Sequence, residues 1–244
     1  MKNIKNTLVF LLYWFLFIFI FIFIGKIEID RIITLLVINF IIVILISFLF
    51  NRLNNIFSNR IKYKLILVVL ILISIDQFFK YIVFSGIYKI SILKNLTFIE
   101  PVINIRGSFL AELFQINIPF YLYIMIYFIS IVIIAEGYRY YIKIERNNFW
   151  TYWTLLSLLS GIFSSLINKI IWKESIDYIF VNPLFHADLK DFLLLSGLYT
   201  FIMEVISNKN NLRKIMHWRL KKEVKSSKKF LKFLKNDIDK ILRK

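Results

Sequence analysis

The sequence predicts an all-α polytopic membrane protein with about six transmembrane helices. Its mean hydropathy of +0.71 and its 59% of hydrophobic residues are too high for a soluble chain of 244 residues. The apolar residues also form several runs of about 20 residues, which is the length that crosses a bilayer as a helix. The six predicted spans are Thr7–Gly25, Ile32–Phe50, Lys64–Phe84, Ile118–Ile134, Phe149–Trp172 and Phe192–Ile206.

The charges of the loops predict the orientation of these spans. The loops after the second and fourth predicted spans are basic, as is typical of cytoplasmic loops. Both termini are therefore expected in the cytoplasm. The segments expected on the outer face are Lys26–Arg31, Ser85–Asn117 and Lys173–Asp191. In Ser85–Asn117, β-branched residues and alternation predict short strands at the membrane surface, followed by a helical turn at Phe109–Phe114.

The C-terminal tail carries most of the excess positive charge. From residue 208 to 244 there are 14 Lys or Arg and three acids, which gives +11 of the total +17. A basic segment after a membrane helix favours anionic lipid on the cytoplasmic side. Its apolar residues recur at roughly helical spacing, which fits an amphipathic helix on the inner leaflet, and a solvated, partly disordered tail fits equally well. We find no nucleic-acid-binding motif and expect no nucleic-acid partner.

Metal and thiol chemistry are disfavoured by composition. The chain has no cysteine, which excludes disulfides, thiolate chemistry and Cys-ligated metals. Its two histidines, His186 and His217, argue against a His-rich metal centre. The composition therefore disfavours thiolate-bound and His-rich metal sites.

Ionisable and amide side chains converge on one depth near the outer ends of the predicted spans. Charged groups inside a membrane are costly, so they are functional candidates. Asp76 and Lys80 lie four residues apart and share one helix face, which allows them to pair. Two carboxylates held close together can share one proton and act as base and acid. The residues expected at this depth are Asp76, Lys80, Asn168, Lys169, Asp177, Asp188 and Asp191.

From Leu65 to Ser207 the order of motifs resembles bacterial signal peptidase II, the lipoprotein signal peptidase family. The family's first motif, an Asp followed four residues later by Lys, stands here as IDQFFKYIV, with Asp76 and Lys80. The second stands as NIRGSF, with Asn104 and Gly107. The third is degraded to GIFSSLINK, because Ser165, Asn168 and Lys169 stand where Asn, Asp and Arg are usual, although Gly161 remains.

The last two motifs of the resemblance supply the two catalytic aspartates. The fourth stands as SIDYI, where Asp177 matches the first catalytic aspartate. The fifth stands as ADLKD, where Asp191 matches the second, Asp188 matches an Asn and Lys190 matches an Ala. Gly197, six residues further on, matches a family glycine and favours this alignment. The shorter loop leaves a second alignment open, in which FHAD is the fifth motif and Asp188 is catalytic.

The resemblance implies a membrane aspartyl endopeptidase that removes signal peptides from diacylglyceryl-modified prolipoproteins without a metal or cofactor. It implies a four-helix core with a small extracytoplasmic β-rich region at residues 61–207. Residues 1–60 would add two transmembrane helices, and residues 208–244 a basic tail. Supporting or substrate-binding roles fall to Asp76, Lys80, Asn104, Arg106, Gly107, Asn168, Lys169 and Asp188. The degraded third motif keeps a second interpretation open, a non-catalytic relative that binds lipopeptide or lipid. A small transporter fits less well, because no Gly or Pro divides a predicted span.

Overall fold

A computed structural model of the chain describes residues 65–86, 90–93, 97–104, 116–145, 148–181, 185–208 and 220–242, with residue 111 and isolated residues between 8 and 52. Most of these residues are helical. The elements are α1 (Leu65–Phe84), β1 (Ile90–Leu93), β2 (Thr97–Asn104), α2 (Phe120–Ile144), α3 (Phe149–Ile167), a π-helical turn (Asn168–Trp172), β3 (Ser175–Val181), β4 (Phe185–Ala187), α4 (Leu189–Ser207) and α5 (Leu220–Leu242).

The membrane class predicted from hydropathy is confirmed. Among the described residues, three helical segments are long and apolar enough to cross a membrane: Leu65–Phe84, Phe120–Ile144 and Phe149–Trp172. The 19-residue helix α4 has the length of a span, but it carries Lys190, Asp191 and Glu204 and is more polar than these three. The predicted spans Thr7–Gly25 and Ile32–Phe50 fall mostly outside the described residues, so the count of six stays a prediction.

The helix α2 is longer than the predicted span Ile118–Ile134. It continues to Ile144 and takes up most of the loop predicted at Glu136–Asn148. The apolar stretch ends near residue 135, but the following residues still form helix because polar side chains are compatible with helix in an aqueous or interfacial environment. Of the residues of α2, only Tyr123 is buried. Most of its apolar surface is therefore free to contact lipid.

Beside the helices lies a small antiparallel sheet with the order β1-β2-β3-β4, where the prediction had a small β-rich region. Strands β1 and β2 lie in the loop where strands were predicted, whereas β3 and β4 lie in a segment that the sequence interpretation treated as a polar loop. The stretch SIDYIFV is rich in β-branched and aromatic residues, and pairing with β2 orders it as a strand. Pro101 lies at the bulge in β2, between the paired residues Ile99 and Val102, where a missing backbone N–H is tolerated.

Helices α3 and α4 pack closely, with a glycine on each helix at the contact. A Cβ atom at Gly161 would lie 2.7 Å from Cγ of Leu194, and one at Gly197 would lie 2.7 Å from Cγ of Leu158. Only hydrogen fits at these positions, so the two glycines set the separation of the helices. This contact fixes the N-terminal end of α4 relative to the C-terminal end of α3.

The helices have two functionally different ends. The site end carries Lys80 of α1, Lys169 of the π-helical turn and Asp191 of α4, next to the sheet. At the other end, called the tail end, Glu204 of α4 is buried and accepts hydrogen bonds from Tyr141 and Asn148. Phe50 also lies there, in an apolar cluster with Phe149, Trp150, Tyr199 and Met203.

The C-terminal segment contains the helix α5, which contacts the end of α2. The ring of Tyr140 packs against Phe230 and Phe233, with centroids 5.3 and 5.4 Å apart. Arg139 forms an ion pair with Asp237, with Nη2 and Oδ2 2.8 Å apart. The basic helix is therefore attached at the tail end, away from the buried aspartates.

Candidate functional site

Three carboxylates meet where the sheet reaches the N-terminus of α4. Asp177 lies in the middle of β3, Asp188 follows β4 directly, and Asp191 lies in the first turn of α4. Oxygen atoms of the three side chains lie within 4.8 Å of one another. The site brings together both predicted catalytic aspartates and the alternative, Asp188.

Local helix capping positions Asp188 and Asp191. Asp188 is the N-cap of α4, and its Oδ1 accepts a hydrogen bond from the backbone N–H of Asp191 over 3.2 Å. The side chain of Asp191 accepts in return from the backbone N–H of Asp188, also over 3.2 Å. This reciprocal capping box uses N–H groups that a helix N-terminus otherwise leaves unpaired. It fixes both carboxylates at the same helix end.

Lys190 is the cation shared by the three carboxylates. Its Nζ lies 2.7 Å from Oδ2 of Asp188, 3.3 Å from Oδ1 of Asp177 and 3.4 Å from Oδ2 of Asp191. Only 4% of the lysine side chain is exposed. Grouped carboxylates at this spacing need a positive charge between them, and here an ammonium group provides it. The sequence interpretation matched Lys190 to a family alanine and gave it no role in the site.

A second buried lysine joins α1 to the site. Lys80 pairs with Asp76, as their spacing predicted, and its Nζ also lies 2.6 Å from Oδ2 of Asp188. All three side chains are fully buried. Ser164 of α3 donates a further hydrogen bond to Asp76. The carboxylate of Asp188 thus contacts two ammonium groups, that of Lys80 on α1 and that of Lys190 on α4.

The carboxylate of Asp177 is held by polar neighbours from the sheet. Asn104 at the end of β2 donates from Nδ2 to Oδ2 of Asp177 over 3.0 Å. Ser175 donates to Oδ1 over 3.1 Å, from two residues earlier in the same strand. Residues two apart in a strand face the same side, which is the signal that could have identified Ser175 from the sequence.

The degraded third motif makes different contacts from an Asp–Arg pair. Asn168 accepts a hydrogen bond from Nε2 of Gln77 over 2.8 Å. Lys169 instead places its ammonium over the ring of Tyr123, 4.6 Å from the centroid. Gln77 and Ser164 were not predicted as site residues, because their roles depend on how α1 and α3 pack. The predicted residues Arg106 and Gly107 lie outside the described residues.

The environment affects the two aspartates of the capping box in opposite directions. Burial alone would raise the pKa of Asp188, but the attraction of Lys190 and Lys80 prevails and holds this pKa below its usual value. Burial raises the pKa of Asp191, and repulsion by Asp188 and Asp177 adds to the rise, while attraction to Lys190 offsets only part of it. The arrangement therefore favours an ionised Asp188 beside a protonated Asp191.

Such a site can perform acid–base chemistry. Two carboxylates from different elements can share one proton, so that one accepts a proton from water while the other donates one. Asp191 is the more accessible of the candidates for the second carboxylate, with 19% of its side chain exposed, whereas Asp188 is fully buried. Water and substrate could therefore reach the pair from the side of Asp191.

Comparisons with known proteins relate the chain to a sequence family and to solved structures. The sequence model of the signal peptidase (SPase) II family matches residues 68–207, more than half of the chain. A solved structure described as a bacterial membrane enzyme is 17% identical, with a TM-score of 0.54 over 62% of this chain and 92% of that one. A second structure with the same description is 18% identical, with a TM-score of 0.48 over 61% of this chain and 96% of that one. No curated protein matches the chain. The family match covers every described residue of the carboxylate cluster, and the chain belongs to the signal peptidase II family.

Proposed function

We propose that this protein is a membrane aspartyl endopeptidase that removes signal peptides from diacylglyceryl-modified prolipoproteins. The observation that carries the proposal is the meeting of Asp177 and Asp191 in one carboxylate cluster. The two residues come from different elements and, in the alignment favoured by Gly197, match the family's two catalytic aspartates. Family membership supports the substrate class.

Catalysis would proceed through a proton shared by this pair. The ionised aspartate takes a proton from a water molecule, whose oxygen attacks the scissile carbonyl carbon. The protonated aspartate donates a hydrogen bond to the carbonyl oxygen, and a proton is then delivered to the leaving amine as the C–N bond breaks. The raised pKa of Asp191 suits the protonated partner. No metal or cofactor enters these steps.

Asp191 is a better second catalytic residue than Asp188. Asp188 is fully buried and engaged by two ammonium groups, so it has little capacity to exchange protons with water or substrate. Asp191 is partly exposed and contacts Lys190 only over 3.4 Å. Gly197 supports the same alignment. It matches a family glycine, lies six residues after Asp191, and makes the close contact between α3 and α4.

The supporting residues would hold the pair and the substrate. Asn104 fixes the orientation of the Asp177 carboxylate, and Lys80 connects Asp76 to the start of α4. The cation–π contact of Lys169 leaves its ammonium near the site end, where it could bind a substrate carbonyl. The predicted topology puts this end at the outer face of the bacterial cytoplasmic membrane, where exported prolipoproteins arrive.

A second candidate function is a non-catalytic relative that binds lipopeptide or lipid. Lys190 favours it, because its ammonium lies between the two proposed catalytic carboxylates. An ammonium that stayed there would compete with the shared proton and exclude the attacking water. The replacement of the third motif's Asp and Arg by Asn168 and Lys169 points the same way, since Lys cannot form the bidentate contacts of Arg.

A cleavage assay distinguishes these candidates. Purified protein is incubated with a diacylglyceryl-prolipoprotein, and wild type is compared with Asp177→Asn, Asp191→Asn and Asp188→Asn. We expect the first two substitutions to lower cleavage by at least about 10³-fold, because the pair loses one carboxylate. Asp188→Asn should retain measurable cleavage. Loss with Asp177→Asn and Asp188→Asn, but not with Asp191→Asn, would favour the other alignment, and no cleavage by folded wild type across several prolipoproteins would favour the binding relative.

A further inference from the structure

The contacts of Lys190 are unequal, and the inequality is informative. Its Nζ lies 2.7 Å from Asp188, within the ordinary range for a charged hydrogen bond, but 3.3 Å from Asp177 and 3.4 Å from Asp191. The nearest counterion of the lysine is therefore the carboxylate that we do not place in the catalytic pair. Asp188 therefore holds the ammonium of Lys190 at the outer limit of hydrogen-bond distance from Asp177 and Asp191.

The two side chains also compensate each other in charge. Asp188 contributes one negative charge and Lys190 one positive charge, and both are buried. Together they add no net charge beside Asp177 and Asp191. Either one alone would add a full charge within a few ångströms of the buried Asp177 and the largely buried Asp191, where an unpaired charge has a large effect on proton affinity.

We infer that Asp188 and Lys190 act together as a positioning pair that sets how readily Asp177 and Asp191 share a proton. This inference rests on the proposed peptidase function and deepens it. Asp188 keeps Lys190 from neutralising the catalytic carboxylates completely, and Lys190 screens them from the charge of Asp188. Neither residue reacts with the substrate.

Substitutions at these two positions leave the other ionisable groups around the pair in place. If Asp188 is removed, Lys80 keeps Asp76 as its counterion. The titratable groups that face the cluster from neighbouring elements are Asp76 and Lys80 of α1, Tyr127 of α2, Lys169 of the π-helical turn and Tyr178 of β3.

Opposite charge changes at the two positions should move the pH dependence in opposite directions. Asp188→Asn leaves the ammonium of Lys190 uncompensated, which favours ionised catalytic carboxylates and lowers the pH range in which they hold one proton. Lys190→Met leaves the charge of Asp188 uncompensated, which raises that range. Each shift should be about 1 to 3 pH units. In the double variant the two effects cancel, so its profile should return to within about half a unit of wild type.

The test measures cleavage against pH for these three variants and wild type in detergent, with a diacylglyceryl-prolipoprotein as substrate. Asn retains the N-cap function at position 188, and Met keeps most of the length of Lys190. Lys173→Gln is the matched control, because this lysine lies close to the site end but is exposed. Its profile should coincide with that of wild type.

A readout independent of catalysis separates this inference from the proposed function. The chain has seven aspartates, so ¹³C-labelled carboxyl groups can be titrated by NMR, with Asp177→Asn and Asp191→Asn assigning the two signals. Opposite shifts of these titrations in the single variants support the inference even if wild type cleaves nothing. Titrations that stay unchanged, or a double variant displaced as far as either single one, would overturn it. A purely structural role would lower yield or activity without moving either curve.

Discussion

Lys80 illustrates how the site tolerates charge inside a largely apolar protein. Its side chain is fully buried in α1 and pairs with Asp76 and with Asp188 at the start of α4. Bringing three charges out of water is costly, and their mutual attraction offsets that cost only while all partners are present. The lysine therefore links α1 to α4 through a group of three charges that becomes destabilising if one of the three side chains is removed.

Replacement of this lysine should be strongly destabilising. In Lys80→Met the side-chain volume is nearly kept, but two buried carboxylates lose a common counterion, at a cost of about 3–5 kcal/mol. We expect the Tm in detergent to fall by roughly 10 °C. Thermal unfolding followed by circular dichroism measures the change.

The surface pair formed by Arg139 and Asp237 provides the comparison. The arginine side chain is 52% exposed, and such pairs contribute at most about 1 kcal/mol. Arg139→Met should therefore change the Tm by only a few degrees. Equal losses in the two variants would show that the buried cluster has no special role in stability.

At the scale of the elements, the contact between α3 and α4 controls where Asp191 lies. Gly161 and Gly197 let the two helices approach until side-chain atoms fill the space that a Cβ atom would need. Asp191 lies six residues before Gly197, so a displacement of the helix at the glycine also moves the carboxylate. Packing within the membrane and geometry at the site are coupled through this contact.

An added methyl group should disturb this contact. In Gly197→Ala the new Cβ would lie 2.7 Å from Leu158 Cγ and 3.2 Å from Leu158 N, so the helices must separate. We expect a loss of about 1–3 kcal/mol in stability and a fall in prolipoprotein cleavage. Unfolding in detergent and the cleavage assay measure the two effects.

Gly137→Ala is the matched control, because nothing lies within 4 Å of a Cβ at this position of α2. Alanine is the better helix former, so this variant should be unchanged or more stable by about 0.5–1 kcal/mol. If both variants behave alike, the contact between α3 and α4 is looser than the distances indicate.

The elements that the sequence predicted well are those defined by local apolar runs. The span predicted at Lys64–Phe84 corresponds to α1 at Leu65–Phe84, and the one predicted at Phe149–Trp172 ends at the same residue as the π-helical turn. Strands β3 and β4 were missed because β3 is paired with β2, more than 70 residues earlier. Hydropathy marks membrane contact, and it carries no information about such pairing.

The same distinction applies to the site. Contacts between residues close in sequence were predicted, whereas contacts between distant residues were not. The pairing of Asp76 with Lys80 follows from a spacing of four residues in one helix, and the sequence predicted it. The role of Lys190 depends on Asp177 arriving from β3, and that of Gln77 on α3 lying beside α1. A lysine between two acids in ADLKD was a visible signal, but only the folded arrangement reveals that it contacts three carboxylates.

At the scale of the whole molecule, the buried aspartates and the basic tail lie at opposite ends of the helices. Asp191 and Glu204 are 13 residues apart on α4, which corresponds to about 20 Å along the helix. The site end holds the carboxylate cluster, and α5 contacts α2 at the tail end. Because basic segments stay in the cytoplasm, this separation agrees with a site at the outer face.

The absence of cysteine allows this topology to be tested at single positions. Lys173→Cys introduces an exposed thiol near the site end, and Lys232→Cys introduces one on the exposed surface of α5. In right-side-out vesicles, a membrane-impermeant maleimide should label position 173 at once and position 232 only after detergent is added. Inverted vesicles should give the reverse pattern, which controls for intrinsic reactivity. Labelling of position 173 only from the cytoplasmic side would contradict a site at the outer face. Labelling of both positions from one side would contradict their placement on opposite sides of the membrane.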